Sequence, residues 1–385
     1  MHLGFEIADL ETQKGFWTAK EIEQQPNCWK QTLSIAETNR ATAADFLEPL
    51  YAKENLRIVM TGAGTSAFAG KTLAPILSKV LDRRVEAIAT TDLVSNPYQY
   101  LAENIPTLLV SFARSGNSPE SVHAVELASQ ILGECYHLVV TCNEEGKLFQ
   151  RCKEDAKSLA ILMPAETNDQ SFAMTSSFSS MMVAAFSLLA HKNEYSKEFE
   201  NVCKQSETLL KEIVPTLGKM VEQNAKRVIY LGSGGFQGLA QESALKLLEL
   251  TAGKVVAMYD SPLGFRHGPK SIVNNETLIV VFISNDEYTR KYDLDLLKEL
   301  RRDGIAQQVV AVAGRIDDVV TDGDYILIDS MENASDIELV FPYLIVAQVY
   351  SFLNSLALNN TPDNPCPTGE VNRVVQGVTL HQFEK

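Results

Sequence analysis

Short apolar runs, each closed by glycine and hydroxyl residues, begin at about residue 55. "LRIVM" ends at "TGAGTSAFAG", and "IPTLLVSFA" ends at "RSGNSPES". A helical stretch over Glu120–Leu132 follows, then "CYHLVVTCN" as a further strand. Upstream, residues 1–50 read as helical, and "WTAKEI" offers Thr18 as an N-cap with Glu21 three positions on, a capping box. Strands alternating with helices predict parallel strands joined by right-handed crossovers.

The same order returns later in the chain. "RVIYLGSGGFQGLAQESA" matches "RIVMTGAGTSAFAGKTLA", taking Gly62 to Gly232 and Gly64 to Gly234, an offset of 170 in both. "TLIVVFIS" answers "TLLVSFAR" at the same offset, from Thr107 to Thr277. "AQQVVAVAG" then stands where "CYHLVVTCN" stood. A constant offset across two turns and two strands is the mark of an internal duplication. The expected fold class is therefore α/β, with two tandem doubly wound parallel-sheet domains. The expected division is a helical segment at 1–50, one domain at 51–205, a second at 206–358 and a tail at 359–385.

The copies differ in their loops. Copy one has Thr65 and Ser66 in its glycine turn, and after its second strand Arg114, Ser115 and Ser118. Copy two has Gly235 and Phe236, then Asp286 and Glu287 where an anion would be repelled. Ligands of open α/β sheets sit beyond the carboxyl ends of the strands, where these loops lie. Glycines let backbone N–H groups approach a phosphate, hydroxyls donate to it, and Arg114 adds a charge-assisted bond. Ser118, placed before Pro119, equally suits a plain N-cap. "GAGTSA" also fits the dinucleotide pattern, but the acidic residue expected about 20 positions on is missing, Asp92 standing nearer 30. In "AMTSSFSS", Thr175 either joins the site or caps the helix that follows.

In copy two the helix after the turn is apolar almost all round, with Leu239, Leu245, Leu247, Leu248 and Leu250. It nonetheless carries Glu242, Lys246 and Glu249 at i, i+4 and i+7. Those positions share one face. An exposed stripe of ion pairs is the common reason for such spacing. The apolar residues here occupy too much of the circumference for a surface helix. A buried charge must be paired or used, and a carboxylate against an apolar wall can move protons. Just downstream, "YDSPLGFRHGPKS" holds His267, one of six histidines, in a loop bracketed by proline and glycine.

The formal charge of −15 argues against a nucleic-acid backbone or an anionic membrane as partner. It leaves room for a small phosphorylated ligand, which helix N-termini and hydroxyls bind locally. The six cysteines form no CxxC pair and no metal-ligand spacing, so reduced thiols, a cytoplasmic location and no metal are expected. No signal peptide is read at the N-terminus, and no uncharged apolar stretch of the roughly 18 residues that a membrane helix needs is expected.

"TGAGTS", "RSGNSPES", "QESALKLLELTAGKVVAMYDSPLGFRHGP" and the terminal "VNRVVQGVTLH" together resemble the sugar isomerase (SIS) family. The likeness covers nearly the whole chain. It is similar to the isomerase half of glucosamine-6-phosphate synthase, and more so to the galactosamine-6-phosphate deaminase/isomerase group, often labelled tagatose-6-phosphate ketose/aldose isomerases. The resemblance implies a flavodoxin-like fold, a sugar-phosphate substrate, no cofactor and a homodimer or higher oligomer with shared active sites. It implies phosphate binding by Ser66, Ser115 and Ser118. It gives Glu249 as the base moving a proton between C1 and C2, with Lys246 and Glu242 beside it. His267 falls on the ring-opening histidine, which the synthase supplies from the neighbouring subunit.

Three departures matter. Ala113 replaces a phosphate-loop serine, with Arg114 adjacent. Gln376 replaces the lysine that forms a Schiff base in the synthase. No glutaminase domain is seen, which makes the ammonia-releasing direction the expected one. Rival readings are a plain aldose–ketose isomerase, a non-catalytic sugar-phosphate sensor and an etherase acting on a muramic acid phosphate.

Overall fold

The computed structural model describes residues 1–190, 196–369, 371–375 and 377–384. The six predicted runs form strands, and with four others not read from the sequence they make two five-stranded parallel sheets. In the first, β1 (Arg57–Thr61), β2 (Val85–Ala87), β3 (Thr107–Ala113), β4 (Cys135–Thr141) and β5 (Ser158–Leu162) lie in the order β2-β1-β3-β4-β5. In the second, β6 (Arg227–Gly232), β7 (Val256–Asp260), β8 (Thr277–Ile283), β9 (Gln308–Ala313) and β10 (Tyr325–Leu327) lie in the order β10-β9-β8-β6-β7. Read from the other edge, that is the same order. Even the register repeats: Ile58 pairs with Leu108 and Val228 with Leu278, so both partners carry the offset of 170. The duplicated α/β architecture read from the sequence is the observed one.

Two compact units hold these sheets. One comprises Asn27–Asp169, Met174–Tyr195 and Thr368–Lys385; the other comprises Met1–Pro26, Gln170–Ala173 and Ser196–Pro367. The helix Ser196–Glu222 runs through position 205 without a break and belongs wholly to the second. The N-terminal helices are divided between the units, and so is the expected tail: 359–367 belongs with the second sheet and Thr368–Lys385 with the first.

The strand order explains where the loops gather. After β1 the chain adds β2 on one side and β3 on the other, so a crevice opens at the carboxyl ends of β1 and β3. Gly62 and Gly64 shape its entry. A Cβ on Gly62 would lie 2.6 Å from Ser66 backbone, and Gly64 has φ 55°. In the second unit Gly234 repeats that conformation at φ 57°.

There the matching crevice is filled by the protein's own carboxylates. Asp293 accepts from Ser233 Oγ at 2.5 Å and from Ser284 N at 2.9 Å. Asp336 accepts from Ser284 Oγ at 2.7 Å and from Asn285 N at 3.0 Å. Donors that could have met a ligand anion are taken.

Two expectations need correction. The helix over Phe16–Glu23 begins two residues before Thr18 and has no side-chain cap from it. Asp363 instead accepts from Trp17 N at 3.1 Å and Thr18 N at 2.8 Å, as well as from Thr18 Oγ1 at 2.8 Å. Glu21 points elsewhere, accepting from Ser171 Oγ at 2.5 Å. A partner 345 residues away does the capping, which local sequence cannot reveal.

The second correction concerns the long apolar stretch. The helix Asp336–Ala357 is long and apolar enough to cross a membrane by length and composition, yet 94% of its apolar window is buried within the protein. It is a core helix, and its Gln348 accepts a hydrogen bond from Gln25 Nε2 at 2.7 Å.

Burial pushes the Asp293 carboxyl up to about 6, against the hydrogen bonds from Ser233 and Ser284 that favour the ionised form. A carboxyl with a raised folded-state pKa stabilises the fold fully only below its unfolded value. That stability is lost as pH rises through about 6. The shift corresponds to roughly 3 kcal/mol. Relative to Asp293→Asn, the wild type should therefore gain about 2–3 kcal/mol as pH falls from about 7 to about 4. Denaturant midpoints for both proteins across that range check this; a constant difference contradicts it.

Candidate active site

The helix Gly235–Leu250 turns the sequence pattern inside out. Glu242 and Lys246 are fully buried, while Leu248 is 44% exposed. Lys246 Nζ lies 3.4 Å from Glu242 Oε1 and 2.5 Å from Glu249 Oε2. Glu249 keeps 22% of its side chain in contact with solvent. The ammonium is thus shared between a carboxylate locked in the interior and one that reaches the surface. A charge removed from water needs this kind of pairing. Glu249 is the member of the set that a ligand can reach.

His267 follows β7 through a tightly made loop. Ser261 caps the short helix Pro262–Phe265, its Oγ accepting from Gly264 N at 3.1 Å. Gly268 turns the chain at φ 122°. The loop is tied down by Arg266 and Lys270, which pair with Glu299 at 2.9 and 2.5 Å. Lys270, which also pairs with Asp303, holds the Glu299 carboxyl below its usual range, chiefly by hydrogen bonding. His267 itself is exposed, and its ring makes no hydrogen bond among the described residues. A fixed loop carrying a free imidazole suits a ligand outside this unit's own core.

In the first unit, the crevice beyond β1 and β3 is a cavity of about 110 Å³. Ser66, Arg114, Ser115 and Ser118 all line it, with Ala63, Ser121 and Met174. Among the described residues, the Ser66 hydroxyl faces only a weak acceptor, Met174 Sδ at 3.8 Å. Ser118 plays both roles weighed for it: it lines the cavity, and it caps the helix Pro119–Ile131, its Oγ accepting from Ser121 N at 3.3 Å.

The loop's shape comes from the neighbouring strand end. Asn143 Nδ2 donates to Ser115 O at 2.8 Å, and Leu148 N to Gly116 O at 3.2 Å. Gly116 sits at φ 65° against Gly146, where a Cβ would lie 2.6 Å from Ser115 O.

Thr65 and Thr175 are not brought to the cavity wall. Thr65 is the buried first residue of the helix Thr65–Leu81. Thr175 occupies the N-cap position of the helix Ser176–Leu189 but makes no side-chain cap, and its buried hydroxyl has no hydrogen-bond partner among the described residues. Asp169 caps that helix, accepting from Thr175 N at 2.8 Å and Ser177 N at 2.9 Å. Gln376 lies outside the described residues.

Among the lining residues not selected from the sequence is one cation. Arg373, in the terminal "VNRVVQGVTLH", lines the cavity with Val374 and Val375, and its carbonyl accepts from Arg114 Nη2 at 2.8 Å. The signal was an arginine inside a segment already marked by resemblance, but no local pattern ties it to a loop 259 residues away.

Comparison with known proteins bears on the duplicated fold and the family. The SIS domain profile matches residues 50–192 and 223–360, one match for each copy. D-galactosamine-6-phosphate deaminase AgaS of Escherichia coli is 50% identical over 375 residues, covering 96% of this chain and 97% of its own. The AgaS deaminase of Shewanella sp. (strain ANA-3) is 46% identical, covering 98% and 95%. The crystal structure of tagatose-6-phosphate ketose/aldose isomerase from Escherichia coli superposes with a TM-score of 0.89 at 47% identity, covering 99% of each chain. With both halves matched and relatives this similar end to end, the chain belongs to the SIS domain family.

Proposed function

We infer that this protein is a deaminating isomerase that converts galactosamine 6-phosphate and water into tagatose 6-phosphate and ammonium. The observation that carries the chemistry is the buried Glu242–Lys246–Glu249 array with Glu249 alone at the solvent. The substrate follows from relatives about half identical over nearly their whole length that are named for it.

The phosphate is held by the hydroxyls of Ser66, Ser115 and Ser118 and by the Arg114 guanidinium. These groups line one cavity in the first unit. His267 assists opening of the sugar ring. In the open-chain aldosamine, Glu249 takes the proton from C2, leaving an enolamine, and returns a proton to C1. Lys246 fixes the carboxylate in place through its 2.5 Å contact, and Glu242 compensates the ammonium on its other side. The product ketimine is then hydrolysed, water supplying the C2 oxygen and nitrogen leaving as ammonium. Every step is proton transfer or addition of water, so no redox equivalent is consumed. Gln376 in place of the Schiff-base lysine fits a route without a protein–substrate imine.

A plain isomerase interconverting an aldose and a ketose would use the same Glu249, and the solved relative from Escherichia coli carries that name. Ammonium release separates the two. Purified protein given galactosamine 6-phosphate should yield ammonium and tagatose 6-phosphate in equal amounts. Glu249→Gln should lower kcat about 10²–10⁴-fold, the usual worth of a positioned general base. A wild type that isomerises sugar phosphates but liberates no ammonium would favour the plain isomerase. Near-normal turnover in Glu249→Gln would remove Glu249 from the role.

The exposed, unpartnered ring of His267 supports a dimer in which each site takes its histidine from the other chain. Mixing Glu249→Gln with His267→Asn should then restore about one quarter of wild-type activity, because half the dimers are hybrids and half of their sites are intact. Subunit exchange is verified by mass spectrometry. Exchanged mixtures that stay inactive would place both residues on one chain's site.

A further inference from the structure

We propose that Arg373 is a direct ligand of the substrate's phosphate, pairing with Arg114 to make the cavity a two-arginine cradle for a phosphate monoester. The proposal rests on the phosphate cavity described above, and for the sugar on the functional reading just given. It does not need that reading for the anion itself.

A phosphate monoester carries close to two negative charges at neutral pH. The serine hydroxyls of the cavity supply hydrogen bonds but no charge. The protein as a whole bears −15, so an approaching dianion meets a repelling field unless local cations oppose it. Arg114 provides one such cation and is 94% buried, with only 6% exposure. Arg373 provides the second from the C-terminal segment.

The hydrogen bonds of Arg373 leave it poised for an anion. Its side chain donates through Nη2 alone, to Asn168 Oδ1 at 3.4 Å and to the Asp169 carbonyl. Both acceptors are neutral, and Arg373 makes no ion pair among the described residues. A guanidinium has five N–H donors, so Nε and Nη1 remain for a ligand. Such a planar fork matches phosphate oxygens in pairs.

The backbone carries the rest of the argument. Arg373 O accepts from Arg114 Nη2 at 2.8 Å, which keeps two like-charged residues on one cavity wall. The contact runs from a guanidinium to a backbone carbonyl, so it fixes the position of Arg373 without engaging that residue's own side chain. Asp169, whose carbonyl holds Arg373, uses its carboxylate to cap the Ser176–Leu189 helix, so the side chain of Arg373 is tied to the start of that helix. Further along, Phe383 packs edge-on against Tyr98 at 4.9 Å and its carbonyl accepts from Gln130, pinning the tail at a second point.

The test is calorimetric titration of the full-length protein with inorganic phosphate, in parallel with kinetics on galactosamine 6-phosphate. Arg373→Gln should weaken phosphate binding about tenfold or more and raise KM by a similar factor, with kcat largely kept. Arg373→Lys, which keeps the charge but not the fork, should recover part of the loss. Unchanged phosphate affinity in Arg373→Gln would overturn the proposal. So would Arg373→Lys as weak as Arg373→Gln with Tm lowered in both, since that marks a structural brace. A wild type that binds phosphate yet releases no ammonium would sink the functional reading and leave this assignment standing.

Discussion

Burying Lys246 is the constraint around which the helix Gly235–Leu250 is organised. An ammonium with no solvent exposure is costly unless carboxylates meet it, and breaking such a pair by removing one partner typically costs about 3–5 kcal/mol. The helix Gly235–Leu250 therefore has to present Glu242 and Glu249 on the same face as Lys246. It also has to bury that face, which leaves Leu248 to the solvent. Glu242 takes the interior position and Glu249 the boundary. One ion pair anchors the array, and the other offers a carboxylate whose place is fixed before any ligand arrives. A loosely held glutamate would spend part of each turnover being oriented.

Duplication made a division of labour available. Both copies open a crevice at the carboxyl ends of their first and third strands, with glycine turns of nearly the same φ. In the first copy the crevice is lined by hydroxyls and arginine and stays open. In the second, Asp293 and Asp336 consume the matching donors, so the loop is satisfied internally. A protein that had kept both crevices open would have two anion sites. In the proposed function, one copy holds the anion and the other copy's helix handles protons.

The parts legible in the sequence were those written in local pattern. Strand runs, the offset of 170 and the i, i+4, i+7 stripe are all readable within a few turns of chain, and each corresponds to an observed element. That Ser66, Arg114, Ser115 and Ser118 line one cavity was foreshadowed by their place in glycine-rich loops after strands. What stayed hidden depends on partners far along the chain. Thr18 looked like a cap because Asp363 could not be foreseen, and the long apolar run at 339–357 shows its nature only through what packs around it. Arg373 is invisible for the same reason: its role is set by Arg114 and Asp169, not by its neighbours in sequence. Thr175 failed in the opposite direction, since hydroxyls at a helix start suggest a cap that Asp169 provides instead.

The central claim is that Glu249 carries a proton from C2 to C1 before nitrogen leaves. The most direct measurement uses galactosamine 6-phosphate bearing deuterium at C2, with ammonium release followed in light water and the tagatose 6-phosphate analysed for label. The account predicts a primary isotope effect on turnover and part of the label recovered at C1, the rest lost to water, since a single carboxyl both removes and returns the hydron. Ammonium released at an unchanged rate, with no deuterium at C1 of the product, would contradict it.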